Sequence, residues 1–214
     1  MTNLQLFLKR FLDILLSILG IVLFGWLILI CWLLSTFDTG ENGFFLQERV
    51  GKDGKIFRII KIRTMRAIDG FSSVVTASND PRITHIGSLL RRLKLDELPQ
   101  LFNILLGQMS FVGPRPDVVG FANLLQGEDR IILSVRPGIT GPATLFFRNE
   151  EELLASCDDP ERYNSEVIYR SKVKLNRMYL ENYSFFKDIL YIIVTAIPEI
   201  SNWLLPELKS SHDV

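Results

Sequence analysis

The sequence predicts a mostly helical α+β fold carrying an amino-terminal membrane helix and one short β-hairpin. Three features carry that expectation. They are an apolar stretch from Phe11 to Phe37, an Asp-Gly turn between two apolar and basic arms, and helical spacing of apolar residues over most of the remaining chain. At 214 residues and 48% hydrophobic content, the chain has material for one core and a membrane element. We divide it into residues 1–40, membrane-embedded, and residues 41–214, a water-facing domain. Lys+Arg and Asp+Glu are 24 each, so there is no overall field of the kind that gathers nucleic acid. An anion site must come from local clustering of cations. Cys31 lies in the apolar run and Cys157 in a polar loop, an arrangement that fits neither a disulfide framework nor a cysteine metal site.

At about 1.5 Å per residue, the Phe11–Phe37 segment reaches across about 30 Å of hydrocarbon. It is too long for the apolar region of a secretory signal and no small-residue cleavage pattern comes after it, so it is expected to remain in the mature protein. Lys9 and Arg10 precede it; Arg49, Lys52, Lys55, Arg58, Lys61, Arg63 and Arg66 come after it. With cations on both flanks, the positive-inside rule places both on the cytoplasmic side, so the segment is expected to be re-entrant, bending near Gly20 or Gly25. A single straight span is the alternative. Asp13 lies three and four residues from Arg10 and Lys9 and is expected to pair with them at headgroup level.

Phe44–Val50 and Lys55–Thr64 flank Gly51-Lys-Asp-Gly54, which reads as a hairpin. In the second arm Phe57, Ile59, Lys61 and Arg63 share one face by strand alternation, which makes Lys61 and Arg63 candidate phosphate contacts. A solvated edge decorated with cations against aggregation is the equal alternative. Thr84 is placed to cap a helix through Arg91. Beyond it comes Arg91-Arg-Leu-Lys-Leu-Asp-Glu-Leu-Pro-Gln-Leu101. Pro99 suits a first helical turn, which places Asp96 near the N-cap of a helix running to Gly107.

Acids in a first turn ordinarily cap free N–H groups. Here Arg91, Arg92 and Lys94 supply enough charge to hold an anionic substrate against Asp96 and Glu97. A carboxylate can attack phosphorus, dividing one phosphoryl transfer into two displacements, and a neighbouring carboxylate can help hold a divalent ion over a diphosphate. Met109-Ser-Phe-Val-Gly-Pro-Arg-Pro116 and Arg136-Pro-Gly-Ile-Thr-Gly141 each present one arginine, Arg115 or Arg136, on a stiff loop suited to bidentate phosphate recognition.

Together with Lys9-Arg-Phe-Leu-Asp13, Gln47-Glu-Arg-Val-Gly51, Lys61-Ile-Arg-Thr-Met65 and Leu95-Asp-Glu-Leu-Pro-Gln-Leu101, these blocks closely resemble the bacterial sugar transferase family, small monotopic phosphoglycosyl transferases. The resemblance implies a cytoplasmic catalytic domain on the inner leaflet of a bacterial inner membrane, a UDP-sugar donor and a polyprenyl phosphate acceptor. It implies Asp96 as nucleophile, Glu97 as its catalytic partner, Mg²⁺ held by Asp96 and Glu97, and Lys61, Arg91, Arg115 and Arg148 as phosphate or nucleotide contacts. It also implies release of UMP, at the first membrane step of glycan assembly. A homodimer is compatible with this reading. The chain departs from relatives at Phe24-Gly25-Trp26, where Ser-Pro is common, at Pro142–Arg148, and at Asn176, where Asp is frequent.

Pro160–Leu180 and Ser184–Ile197 read as helices, the second stopping at Pro198. The second is expected to be interfacial, with Trp203, Leu204 and Leu205 beyond it in the headgroups; a core helix is the alternative. From a different class, a non-enzymatic membrane-associated assembly protein is the rival, its acidic pair a helix cap and its hairpin a lipid-binding surface.

Overall fold

The computed structural model describes residues 1–68 and 80–200. Helix α1, Asn3–Thr39, starts at a capping box in which Thr2 and Gln5 exchange side-chain hydrogen bonds, and stops at Gly40 in the left-handed conformation. Its 37 residues extend roughly 55 Å. The helix is continuous through Gly20 and Gly25, so neither is a break. At Gly20 the missing side chain serves packing: a Cβ there would stand 3.0 Å from Leu101 Cδ1.

The polar residues of α1 turn toward the protein. Lys9 Nζ donates to Asp188 at 2.6 Å, and Arg10 donates to the carbonyls of Ile104 and Leu105. Asp13 accepts from Ser110 Oγ at 3.0 Å and from the Phe111 N–H at 2.9 Å. The expected pairing of Asp13 with Lys9 and Arg10 is therefore replaced by contacts far along the chain, where a buried carboxylate gains two donors that headgroup water would otherwise supply. Phe7, Phe11, Leu15, Val22, Trp26 and Phe37 remain exposed on this helix, which is long and apolar enough to cross a membrane.

Strands β1, Phe44–Val50, and β2, Ile56–Ile62, pair antiparallel from Phe44 opposite Ile62 to Val50 opposite Ile56. Asp53 and Gly54 both have positive φ, 58° and 76°, the conformation an Asp-Gly hairpin turn requires. Helix α2, His85–Arg92, is capped by Thr84 Oγ1, which accepts from Gly87 N at 2.9 Å. Helix α3, Gln100–Leu105, is short and ends before Gly107 at φ 80°.

A second, two-stranded sheet has no periodic signal in the sequence. Strands β3, Ser110–Val112, and β4, Gly138–Thr140, pair in parallel. Their loops cross so closely that a Cβ at Gly138 would lie 2.2 Å from Gly113 N. Next come helices α4, Pro142–Phe146, α5, Glu150–Ala155, and α6, Pro160–Tyr163; a π turn at Asn164–Ile168 then leads into α7, Tyr169–Glu181. The expected helix over 160–180 is thus present with a bulge inside it.

Helix α8, Phe185–Ala196, buries Asp188, Tyr191 and Val194. It is a core helix with an exposed apolar edge at Phe186 and Ile193, so the packed alternative describes its inner face. The headgroup contact expected of Trp203, Leu204 and Leu205 falls outside the described residues.

Asp188 holds α1 to the core: it accepts from Lys9 and from the hydroxyls of Tyr179 at 2.7 Å and Tyr183 at 3.1 Å. Removing one partner of a buried ion pair leaves the other uncompensated, at a cost of about 3–5 kcal/mol. Asp188→Ala should therefore lower the melting temperature of the detergent-solubilised protein by several degrees; an unchanged melting curve would contradict this docking role.

Candidate active site

Asp96 and Glu97 lie in a 3₁₀ turn, Leu95–Glu97, that is separate from α3; Pro99 is the N-cap residue of α3, and no side-chain cap is formed there. The expectation that Asp96 sits at the entrance of that helix is corrected accordingly. The turn is set by Lys94, a non-glycine residue at φ 56°, a conformation costing on the order of 1 kcal/mol. Leu95 and Leu98 pack in the apolar cluster that contains Ile28 and Cys31 of α1. The two carboxylates thus emerge from a turn seated on α1.

Glu97 is fully engaged. Lys61 Nζ donates to Oε1 at 3.1 Å, and the Arg115 guanidinium donates to both carboxylate oxygens. Burial disfavours its charge, yet Arg115 and Lys61 hold it well below the usual carboxylate range. Asp96 differs. It is 7% exposed, and its Oδ1 is buried with no hydrogen-bond partner among the described residues. Burial and then the charge of Glu97 push its pKa up, against the opposing pull of Lys61, Arg91 and Lys94. One carboxylate is saturated and its neighbour, which is not among the residues lining the adjacent cavity, has a buried oxygen without a partner among the described residues.

A cavity of about 1250 Å³ opens beside the turn, with Arg91, Glu97, Arg115 and Arg148 among its walls. Lys61 reaches the site through Glu97. Arg63 does not: β2 ends at Ile62, and Arg63 instead contacts the Asn42 carbonyl at 2.8 Å, Glu41 at 2.9 Å and the Phe45 ring. Arg136 Nε donates to the Gly107 carbonyl at 2.7 Å, so with Arg10 it satisfies the end of α3 instead of lining the cavity. Arg115 is steered by the crossed glycine loops and also touches the Ile139 carbonyl.

The sequence matches the bacterial sugar transferase family over residues 4–201. The chain belongs to that family. It is 33% identical to the exopolysaccharide production protein ExoY of Rhizobium meliloti over 208 residues, covering 90% of this chain and 84% of that protein. It is 33% identical over 202 residues to the UDP-glucose:undecaprenyl-phosphate glucose-1-phosphate transferase of Klebsiella pneumoniae, covering 91% of this chain and 40% of the longer relative. A putative undecaprenyl-phosphate N-acetylgalactosaminyl 1-phosphate transferase of Bacillus subtilis is 41% identical over 121 residues, 56% of this chain and 68% of that one.

For this family member the fold adds residues that sequence reasoning passes over. Arg49 lines the cavity, donates to Gln47 Oε1 and to the Pro116 carbonyl, and is pulled down to about 10 by burial and by neighbouring Arg115. Asp117 is pushed up to about 6 by burial, with Lys172 and Arg49 opposing. Arg49 lies within the Gln47–Gly51 block, which is the signal that marks it; Asp117 has only its place after Pro116.

The depressed Glu97 pKa has a stability consequence. A carboxylate held low in the fold contributes stability above its unfolded value of about 4.3, and this is lost as pH falls through the folded value. Wild-type protein should therefore lose stability in acid below about pH 4, and Glu97→Gln should flatten that limb in melts across pH; equal acid slopes would contradict the charge assignment.

Proposed function

We propose that the protein is a polyprenyl-phosphate sugar-1-phosphate transferase that works through a covalent aspartyl phosphosugar. The observation that carries this reading is the unpartnered buried oxygen of Asp96 next to a Glu97 already neutralised by Lys61 and Arg115. The names of the relatives in Klebsiella and Bacillus supply the substrate class, an undecaprenyl phosphate acceptor with a sugar phosphate to transfer.

In the first displacement a carboxylate oxygen of Asp96 bonds to the sugar-bearing phosphorus of a UDP-sugar. The bond from that phosphorus to the bridging oxygen breaks, and UMP departs with the electron pair. In the second, an oxygen of polyprenyl phosphate attacks the same phosphorus, the acyl phosphate bond breaks, and Asp96 is regenerated as the carboxylate. Arg91, Arg115 and Arg148 line the cavity where the diphosphate charge has to be held, and positioning with charge compensation is most of what such a transfer needs.

Of the expected pair Asp96 and Glu97, Asp96 is the residue whose unpartnered oxygen would hold Mg²⁺, while both oxygens of Glu97 are taken by Lys61 and Arg115. The fit rests on the unpartnered Asp96 oxygen, since such an ion takes one or two carboxylates and completes its shell from phosphate and water. Such an ion would offset charge on the departing phosphate.

The exposed apolar face of α1 supports attachment to the inner leaflet, with the remainder on the cytoplasmic face and both flanking basic segments on that side. Re-entry of α1 belongs to this proposal; it requires a bend that the continuous helix does not show at Gly20 or Gly25, and tags on the two ends found on opposite sides of the membrane would overturn it.

Asp96→Asn and Asp96→Ala should each reduce UMP release from UDP-sugars by roughly a thousandfold or more, as loss of a covalent nucleophile does, with the melting temperature retained. Full turnover in either variant would remove Asp96 from the chemistry. Because burial and then the charge of Glu97 raise the Asp96 pKa and only the ionised form attacks, the acid limb of kcat/KM should lie at higher pH than an ordinary aspartate would give. A rate that stays flat down to pH 4 would contradict that sign.

A further inference from the structure

Beyond the arginines, the cavity has a wall of a different chemistry. Tyr169, Lys172, Val173 and Asn176 recur at helical spacing on one face of α7 and line it, and Thr144 faces it from α4. Lys172 is committed to Glu150, with both carboxylate oxygens within 2.7 Å, so this pair presents little net charge. The Thr144 hydroxyl, the Tyr169 hydroxyl and Asn176 Oδ1 are all buried and have no hydrogen-bond partner among the described residues. Asn176 is 6% exposed.

Buried polar atoms without partners cost stability, and three of them on the wall of one cavity call for a ligand that satisfies them. Their kind restricts the ligand. Two hydroxyls that either donate or accept, beside an amide that carries both an acceptor and a donor, match alcohol groups, which also do both. Burial and the nearby Asp117 also keep the Tyr169 phenol protonated. The Phe121 ring, 5.2 Å from that of Tyr169, adds an apolar surface beside the polar atoms. The π turn at Asn164–Ile168 immediately precedes Tyr169 and sets the rotational phase of the face, as such bulges do at binding sites.

We propose that Thr144, Tyr169 and Asn176 form the subsite that reads the hydroxyls of the transferred sugar. This rests on the transferase reading above and names the residues through which one sugar is distinguished from its epimer. The shared chemistry, a hydroxyl-bearing ring, also describes the nucleoside end of the donor, and the test separates the two.

The full-length protein in detergent, with undecaprenyl phosphate and Mg²⁺, is assayed for nucleoside monophosphate release from UDP-glucose, UDP-galactose and their N-acetylated counterparts. The preferred sugar is also supplied on CDP. Tyr169→Phe and Thr144→Val delete single hydroxyls with shape retained, and Asn176→Ala is the third variant. The subsite predicts that these substitutions shrink the kcat/KM ratio between the preferred sugar and its C4 epimer by up to about tenfold, with the UDP-to-CDP ratio unchanged. A collapse of the UDP-to-CDP ratio with epimer preference intact assigns the wall to the nucleoside and overturns the sugar assignment. Equal losses across all donors, or no change, overturn the subsite altogether. No nucleotide release by wild-type protein from any donor would instead strike the transferase reading itself.

Discussion

The ion pairs of Glu97 with Lys61 and Arg115 are the contact on which the site depends. Two adjacent carboxylates in a covered turn repel each other, and neither is comfortable out of water. Lys61 from β2 and Arg115 from the loop after β3 bond to one of them and leave the other with an oxygen that has no hydrogen-bond partner among the described residues. The hairpin, the second sheet and the turn after α2 must all be in place before that asymmetry exists. It places two carboxylates in different settings, one bonded to two cations and the other with a buried oxygen that has no partner among the described residues.

The same turn is joined to the long apolar helix α1. Leu95 and Leu98 pack with Ile28 and Cys31 of α1, and Leu101 closes on Gly20. At the other end of α1, Lys9, Arg10 and Asp13 each find a partner in a different part of the domain, namely α8, the end of α3 and β3. A helix with one face this apolar and the other this heavily bonded cannot turn independently of the domain. The position of Asp96 relative to the apolar face of α1 is therefore set by side-chain contacts.

Local rules make much of this legible. The Asp-Gly turn and the Thr84 cap are where the residues alone place them, because both depend on backbone preferences of a few residues. The paired acids beside Arg91 and Lys94 are the local grouping from which the site is proposed. Strand alternation misplaces Arg63 because it runs one residue past Ile62, where the ladder ends and the side chain turns back toward Glu41. Asp13 and Arg136 escape local reasoning because their partners, at Ser110 and Gly107, lie far along the chain and no spacing rule reaches them. Strands β3 and β4 are three residues each, too short for a period to be seen. The cavity wall of Thr144, Tyr169 and Asn176 exists only once α4 and α7 pack.

The central claim is that Asp96 becomes bonded to phosphorus. Purified protein should be mixed with UDP-sugar and Mg²⁺ in the absence of polyprenyl phosphate, quenched in acid within a turnover, and weighed intact and after proteolysis. The account predicts a mass increase equal to one sugar phosphate, mapped to the peptide bearing Asp96, and its loss when polyprenyl phosphate is added before the quench. Turnover with no adduct at any quench time, under conditions that preserve acyl phosphates, would contradict it and point to direct transfer from donor to lipid.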